Sequence, residues 1–375
     1  MKIAIFETCH FEVAYTLISL FDKPGNEITI FIYPEAHRQL LFLLQDKAGR
    51  YNWLVRKKDE TKRGFIARMF RYTNEHSFDL LYFNTITDNL IIYAFHLRKL
   101  KNIPAVLTIH DINGHFQYKP SISLRRLVRY IGKKLLIKRF QSFNVLADSM
   151  VSYLSEKLPA GKKVFSIPGS HFLPSSITSV KLKAGDPIKI VIPGSVDERR
   201  RDYSIVEGLL ESSSRQNLAI EICLLGAFRR GHSENTRRFC LNYLRYNTNL
   251  KIFEEEIVDQ PQFDKHIQES HFILMPVQPI LSITDGIMEE YGKSICSGNI
   301  GDIIKHAKPF FVPGLIPLDN ALQGSAIRYN TITDILSVIQ QLNPSVYSDM
   351  QEKAWISSLQ YTKENIISRN ATIFL

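Results

Sequence analysis

Cysteine is scarce in this 375-residue chain: Cys9, Cys223, Cys240 and Cys296 stand far apart, with no CxxC pair and no Cys/His cluster. That spacing supports neither a disulfide framework nor a zinc site, and a reducing compartment fits it best. No strand-like segment is followed by GxGxxG, so a dinucleotide fingerprint has no support. GxxxxGK[ST] and GxSxG are missing too, which removes the P-loop class and the common hydrolase elbow. No two aspartates stand in a DxD spacing, so no metal-chelating pair of that kind is available and no metal is expected. Long apolar runs are also lacking. The longest stretch free of charged residues, Val164–Val180, contains Pro168, Gly169 and Pro174, and no membrane span is predicted. The first residues, MKIAIFETCHFEVAYTLISLF, carry Glu7 and Glu12 inside their apolar stretch and no small-residue cleavage site. They read as a first strand and helix, not a signal peptide, and the expected location is cytoplasmic.

What the chain has in excess is positive charge, placed in one half. The formal net charge is +10; residues 1–178 hold 26 Lys and Arg against 14 acids, and residues 179–375 hold 21 against 23. Such asymmetry attracts anionic partners over a distance, whether nucleic acid, anionic lipid or phosphorylated substrates. The segment Ser121–Phe143 concentrates it. Leu124, Leu127, Val128, Ile131, Leu135, Leu136 and Phe140 recur at helical spacing, while Arg125, Arg126, Arg129, Lys133, Lys134, Lys138 and Arg139 fill the other faces without one acid. Two readings of this basic amphipathic helix stay open: a core-packed helix with a solvated basic face, or a surface that leans on anionic headgroups. Aromatic platforms between the basic residues and a helix-turn-helix signature are both lacking, so nucleic acid is not an expected partner.

Strands alternate with helices throughout. In the first half Lys2–Phe6, Glu27–Ile32, Asp79–Phe83, Ala105–Ile109 and Phe143–Ala147 read as strands, separated by helical patterns such as Phe11–Phe21, His37–Gln45, Gly64–Glu75, Leu90–Lys99 and Ser149–Lys157. Ser166–Gly185, rich in Ser, Pro and Gly, reads as a linker. The pattern then restarts, with strands at Lys189–Ile192, Ala219–Leu225, Lys251–Phe253, Phe272–Met275 and Pro309–Val312. Helices fall between them at Tyr203–Ser212, Arg237–Tyr246, Phe263–Glu269 and Ile300–His306. This predicts an α/β protein of two doubly wound domains, 1–178 and 179–350, with a helical tail at 351–375 packing across the junction. Ligands of such sheets bind beyond the carboxyl ends of the strands, so the informative residues are those just after strands: His10, His110, Asp111, Gly194–Arg201 and the Pro276 region.

Three segments carry chemistry. In IKIVIPGSVDERRRDY a buried strand opens at Gly194 into Arg199, Arg200 and Arg201 just before a helix. Positive charge there opposes the helix dipole unless an anion is present, and guanidinium forks match phosphate oxygens. In EEYGKSICSGNIGDIIKHAK the Ser297-Gly298-Asn299 stretch is a helix cap and a cradle of N–H groups for phosphate or hydroxyl, and Glu289 and Glu290 are acceptors of the kind sugars need. Thr108-Ile109-His110-Asp111 ends a strand with a His–Asp pair, which is either a local cap or an acid/base group.

In their order along nearly the whole chain, these segments resemble the GT-B glycosyltransferases, particularly the large retaining family whose second domain carries Glu-x7-Glu. Thr108–Asp111 comes first, then Lys163–Pro168 followed by His171, which looks like the family's pre-linker stretch. Ile192-Pro193-Gly194 with the arginines and Asp202-Tyr203 looks like its basic loop, Glu289-Glu290-Tyr291-Gly292 like its E-x-[FY]-G, and Lys308-Pro309 like its G-x-P. The second glutamate position holds Ser297. The resemblance implies two Rossmann-like domains facing across a cleft, with a C-terminal helix crossing back to the first. It implies transfer of a sugar from a nucleoside diphosphate to a hydroxyl acceptor without metal or cofactor, in cell-surface polysaccharide or glycolipid assembly. Gly194, Arg200, Arg201, Glu290, Lys293, Ser297 and Gly298 would hold the donor, with Arg200 or Arg201 on the diphosphate. Glu289, His110 and Asp111 would act at the reacting sugar, and His10, Arg125 and Arg126 would face a glycan or lipid-linked acceptor near an anionic membrane. A retaining reaction is the family's expectation; an inverting one would need His110, Asp111 or His10 as base. A sugar-nucleotide 2-epimerase and a non-catalytic relative are the alternatives.

Overall fold

The computed structural model describes all residues except 101–102, 121, 178–179, 255–257, 285 and 375. The expected division between 178 and 179, and the first residue of the basic helix, Ser121, lie outside the described residues. Two parallel sheets organise the chain. The first holds β1 (Lys2–Glu7), β2 (Glu27–Ile32), β3 (Asn52–Val55), β4 (Leu80–Phe83), β5 (Ala105–Thr108), β6 (Ser142–Val145) and β7 (Lys163–Ser166), in the order β3-β2-β1-β4-β5-β6-β7. The second is built from β8 (Ile188–Pro193), β9 (Ile220–Ala227), β10 (Leu250–Phe253), β11 (Phe272–Leu274), β14 (Phe310–Pro313) and β15 (Ala326–Tyr329), in the order β10-β9-β8-β11-β14-β15. Between β11 and β14 an antiparallel hairpin, β12 (Ile280–Thr284) and β13 (Ile287–Glu290), leaves the sheet. Both orders reverse beside the first strand of their domain, which is where a doubly wound sheet opens a binding crevice.

The central strands are buried on both faces, as parallel sheets covered by helices require. Phe6 of β1 stacks on Phe31 of β2 at 4.7 Å and on Phe83 of β4 at 4.0 Å, an aromatic ladder across the sheet centre. Helices begin where the caps predict: Thr61, Asp259, Ser297 and Thr331 each accept a backbone N–H of the first turn, Thr331 with Asp334 in a reciprocal capping box.

The C-terminal segment returns to the first domain, but later than expected. Helix Pro344–Leu359 spans the expected boundary at 351 and stays on the second domain, where the Tyr347 hydroxyl donates to the His271 carbonyl. The chain crosses at Tyr361–Thr362, pairing with Phe172 of the outgoing linker, and Phe374 then packs on Phe21 at 4.7 Å.

Gly226 marks the tightest approach at the second crevice. A Cβ there would lie 2.4 Å from the Gly194 carbonyl oxygen, so only glycine lets β9 pass under the turn that leaves β8. Gly226→Ala is expected to cost about 2 kcal/mol or more of stability by overpacking. Chemical denaturation checks it, and an unchanged midpoint would refute the close approach.

Candidate functional site

The carboxyl ends of the two sheets face each other across a cavity of about 850 Å³. From the first domain come the residues after β1, β4 and β5. Glu7, only 1% exposed, ends β1 and ties the turn together: one carboxylate oxygen accepts the N–H groups of Thr8, Cys9 and His10 at 2.6, 2.5 and 2.7 Å. The other accepts from Asn84 and from the Thr85 hydroxyl. This holds His10 stacked on His110 with ring centroids 4.3 Å apart.

The His110 ring donates its Nε2–H to the Asn84 carbonyl at 2.8 Å, because a carbonyl can only accept, and Nδ1 is left with a lone pair. Burial, then the neighbouring His10, push this imidazole down to about 3, so it is neutral at physiological pH. Burial alone would raise Asp111, but His115, whose Nδ1 lies 3.4 Å from Oδ1, with Lys133 and His110, outweighs burial and keeps the carboxyl below its usual range. Burial raises the Cys296 thiol to about 12, so this cavity-lining cysteine carries no thiolate.

From the second domain come the turn after β8 and the helix Gly298–His306. The three consecutive arginines divide their tasks. Arg199 is spent on the buried Asp197, with contacts of 3.0 and 2.7 Å. Arg201 is a brace, donating to the carbonyls of Pro193 and Gly194 at 2.6 and 3.2 Å and to the Asn299 side chain at 3.3 Å. Arg200 faces the cavity with only a loose tie, 3.9 Å, to Asp197. Beside it the first turn of helix Gly298–His306 meets the cavity, capped by Ser297, whose hydroxyl accepts from the Asn299 N–H at 3.3 Å.

Of the residues singled out from the sequence, His10, His110, Asp111, Gly194, Arg200, Arg201, Ser297 and Gly298 line this one cavity. Glu289, Glu290, Lys293, Arg125 and Arg126 are not among its lining residues. Glu290 and Lys293 pair with each other at 2.9 Å on the surface, with Lys293 over the Tyr153 ring. Arg125 and Arg126 sit on the exposed first turn of helix Leu124–Arg139; one and two turns later Arg129 and Lys133 line the cavity instead, and Lys133 donates to the Gly114 carbonyl.

Glu289 is 1% exposed and serves as a clamp between domains. Its carboxylate accepts the Gly114 N–H at 2.6 Å and the Asn113 N–H at 3.3 Å, both in the short helix Ile112–Phe116 that follows His110-Asp111. The Ser294 hydroxyl donates to it at 2.5 Å, and the Ser294 carbonyl accepts the Ile112 N–H at 2.8 Å. The second domain thus satisfies the free N–H groups of a first-domain helix. Burial pushes the Glu289 carboxyl up to about 7.

Residues not singled out beforehand also line the cavity, among them Thr85, Glu12 and Asp302. Burial raises both acids, Asp302 to about 7. The available signal for Asp302 was its place in the turn after the Ser297 cap, one turn into a helix whose start was already suspected of meeting phosphate.

The chain matches no family model and no curated protein. Among solved structures it is similar to sucrose-phosphate synthase from Thermosynechococcus elongatus, at 13% identity and TM-score 0.62 over 100% of this chain and 98% of that one. It is also similar to HepE from Anabaena in complex with UDP and glucose, at 13% identity and TM-score 0.67 over 100% and 99%. A third likeness is to UDP-GlcNAc 2-epimerase from Neisseria meningitidis bound to UDP-GlcNAc, at 13% identity and TM-score 0.55 over 99% and 100%. With two Rossmann-like sheets facing across one cleft and a C-terminal segment that crosses back, the chain adopts the GT-B fold.

Proposed function

We propose that the protein is a glycosyltransferase that moves a sugar from a nucleoside diphosphate to a hydroxyl acceptor. The observation that carries this reading is the joining, in one cavity of about 850 Å³, of a cation and a helix start on one wall with a neutral imidazole on the other. Charge developing on a departing diphosphate would meet Arg200 and the N–H groups of helix Gly298–His306, so the step proceeds without metal. Arg201 holds that wall in shape, and Gly194 keeps the backbone close. His110, neutral and with Nδ1 as acceptor, would bind a sugar hydroxyl; an imidazole this weakly basic is a poor general base, which favours a retaining course. Arg129 and Lys133, on the first-domain wall, would meet an acceptor that carries negative charge.

The likeness to a structure bound to UDP and glucose supports the donor class, and that to an epimerase bound to UDP-GlcNAc keeps a second reading alive. Calorimetry against UDP, GDP, dTDP and CMP without metal, then against matching sugar nucleotides, tests both. We expect one nucleoside diphosphate to bind selectively and its sugar to be lost only when an acceptor is supplied. Isomerised sugar nucleotide formed with no acceptor would establish the epimerase instead, and no binding to any nucleotide would remove both.

A further inference from the structure

Helix Leu124–Arg139 is turned inside out along its first half. At about 100° per residue, Leu124, Leu127, Val128 and Ile131 share an arc of roughly 100°, with Arg129 and Lys133 about 140–180° from Leu124. In a helix laid on a soluble core the apolar arc faces inward. Here Arg129 and Lys133 line the cleft cavity, while the apolar arc is in solvent: Leu124 is 74% exposed, Val128 45%, Ile131 40% and Leu127 37%, with Ile122 fully exposed just ahead of them. Only the second half packs conventionally, through Leu136 and Ile137. A contiguous exposed apolar row of this kind marks an interaction surface.

The charge around the row selects the partner. Helix Leu124–Arg139 contains no acidic residue; the exposed Arg125 and Lys134 flank the apolar arc on its two sides, and the exposed Lys138 continues the arc one turn on. An apolar row flanked by cations matches the boundary of an anionic phospholipid bilayer, where hydrocarbon lies just beneath negative headgroups. No helix among the described residues is long and apolar enough to cross a membrane, so contact of this chain is with the surface.

We propose that this ridge docks on an anionic phospholipid bilayer. Because the helix that docks is also a wall of the cleft, docking places the cavity next to the headgroups and offers it an acceptor borne on a lipid. That last clause rests on the transferase reading; the docking itself does not.

Co-sedimentation with vesicles of phosphatidylcholine alone, and of phosphatidylcholine with phosphatidylglycerol, tests it on the full chain without any nucleotide, so a failed transferase reading leaves the result intact. Wild-type protein should pellet with the anionic vesicles, less at high salt, and stay in solution with the neutral ones. Arg125→Glu with Lys134→Glu should lower partitioning by at least about 25-fold, at roughly fivefold per basic residue. Val128→Glu with Ile131→Glu should lower it by at least about tenfold. These positions are exposed, so unchanged melting is expected and is checked in parallel. Equal recovery in the supernatant with both vesicle types overturns the proposal. Undiminished pelleting of both double variants overturns it as well. A lipid-free dimer that Val128→Glu with Ile131→Glu dissociates would assign the ridge to a second copy of the chain.

Discussion

Arg200→Ala should weaken nucleoside diphosphate binding by about 10- to 100-fold, the loss of one or two charge-assisted bonds to phosphate worth about 1.5–3 kcal/mol. Its melting temperature should stay that of wild type, because the Arg200 side chain is tied to the described residues by no more than a 3.9 Å contact with Asp197, and its backbone hydrogen bonds survive the substitution. Arg201→Ala should do the reverse in proportion. It leaves the Gly194 carbonyl without its side-chain donor and takes one donor each from the Pro193 carbonyl and Asn299 Oδ1, which keep the 2.8 Å bond from Asn299 Nδ2 to Pro193, so about 1–2 kcal/mol of stability should go first, with affinity following as the turn loosens. Calorimetry beside thermal melting separates the two. Unchanged affinity in Arg200→Ala would sink the phosphate assignment, and an Arg201→Ala protein as stable as wild type would sink the brace.

The second large effect belongs to Glu289. Glu289→Ala removes the acceptor of the Gly114 N–H, the Asn113 N–H and the Ser294 hydroxyl, and should cost about 3 kcal/mol. Turnover should fall more than nucleotide affinity, since helix Ile112–Phe116 supports Asp111 and His110. Glu289→Gln keeps the size of the side chain and the acceptor for Gly114, while its amide, placed where Oε2 was, leaves the 3.3 Å Asn113 N–H contact unmade and costs a pH-independent amount. The pH dependence distinguishes them. Unfolded chain releases the Glu289 proton near its ordinary value of 4.5, whereas folded protein keeps it to about 7. The folded state therefore binds more protons between these values, and stability falls as pH rises through that window, then levels off. The stability of Glu289→Gln relative to wild type should rise by up to about 3 kcal/mol from the acid to the alkaline end of this window. Parallel profiles for the two proteins would show that another group titrates.

The doubly wound plan was legible because buried parallel strands advertise themselves as apolar runs. β2 and helix Phe11–Phe21 appear with the expected bounds. β3, β7 and β15 escaped because each lies at a sheet edge with mixed polar character, as in Asn52-Trp53-Leu54-Val55. The hairpin β12–β13 escaped because Glu289 and Glu290 end its second strand, where alternation gives way to two acids. In the cavity, strand-end position was the legible signal: His10, His110 and Gly194, each just after a strand, all line it. The arginine run showed that charge mattered but not which guanidinium was spoken for, since Asp197 and the carbonyls of β8 decide that in space. Glu289 was expected at the donor sugar through the motif; in the structure it lies on β13 and accepts the Gly114 N–H, a contact between domains that no motif spells out. Helix Leu124–Arg139 shows the same limit, because helical periodicity separates an apolar face from a basic one without saying which of them looks inward.

The pairing of Phe172 with the returning chain at Tyr361–Thr362 has a mechanical consequence. A single linker acts as a swivel and lets two bodies twist as well as open. Two crossings lying side by side, hydrogen-bonded from the Phe172 N–H to the Tyr361 carbonyl at 2.9 Å and wedged by Trp355 against the Phe172 ring, act as a door with two pins. Twisting would have to shear that bond, whereas bending spares it. Bending about the paired crossings therefore costs this bond less than twisting does, and favours an opening that keeps the two walls of the cleft in line.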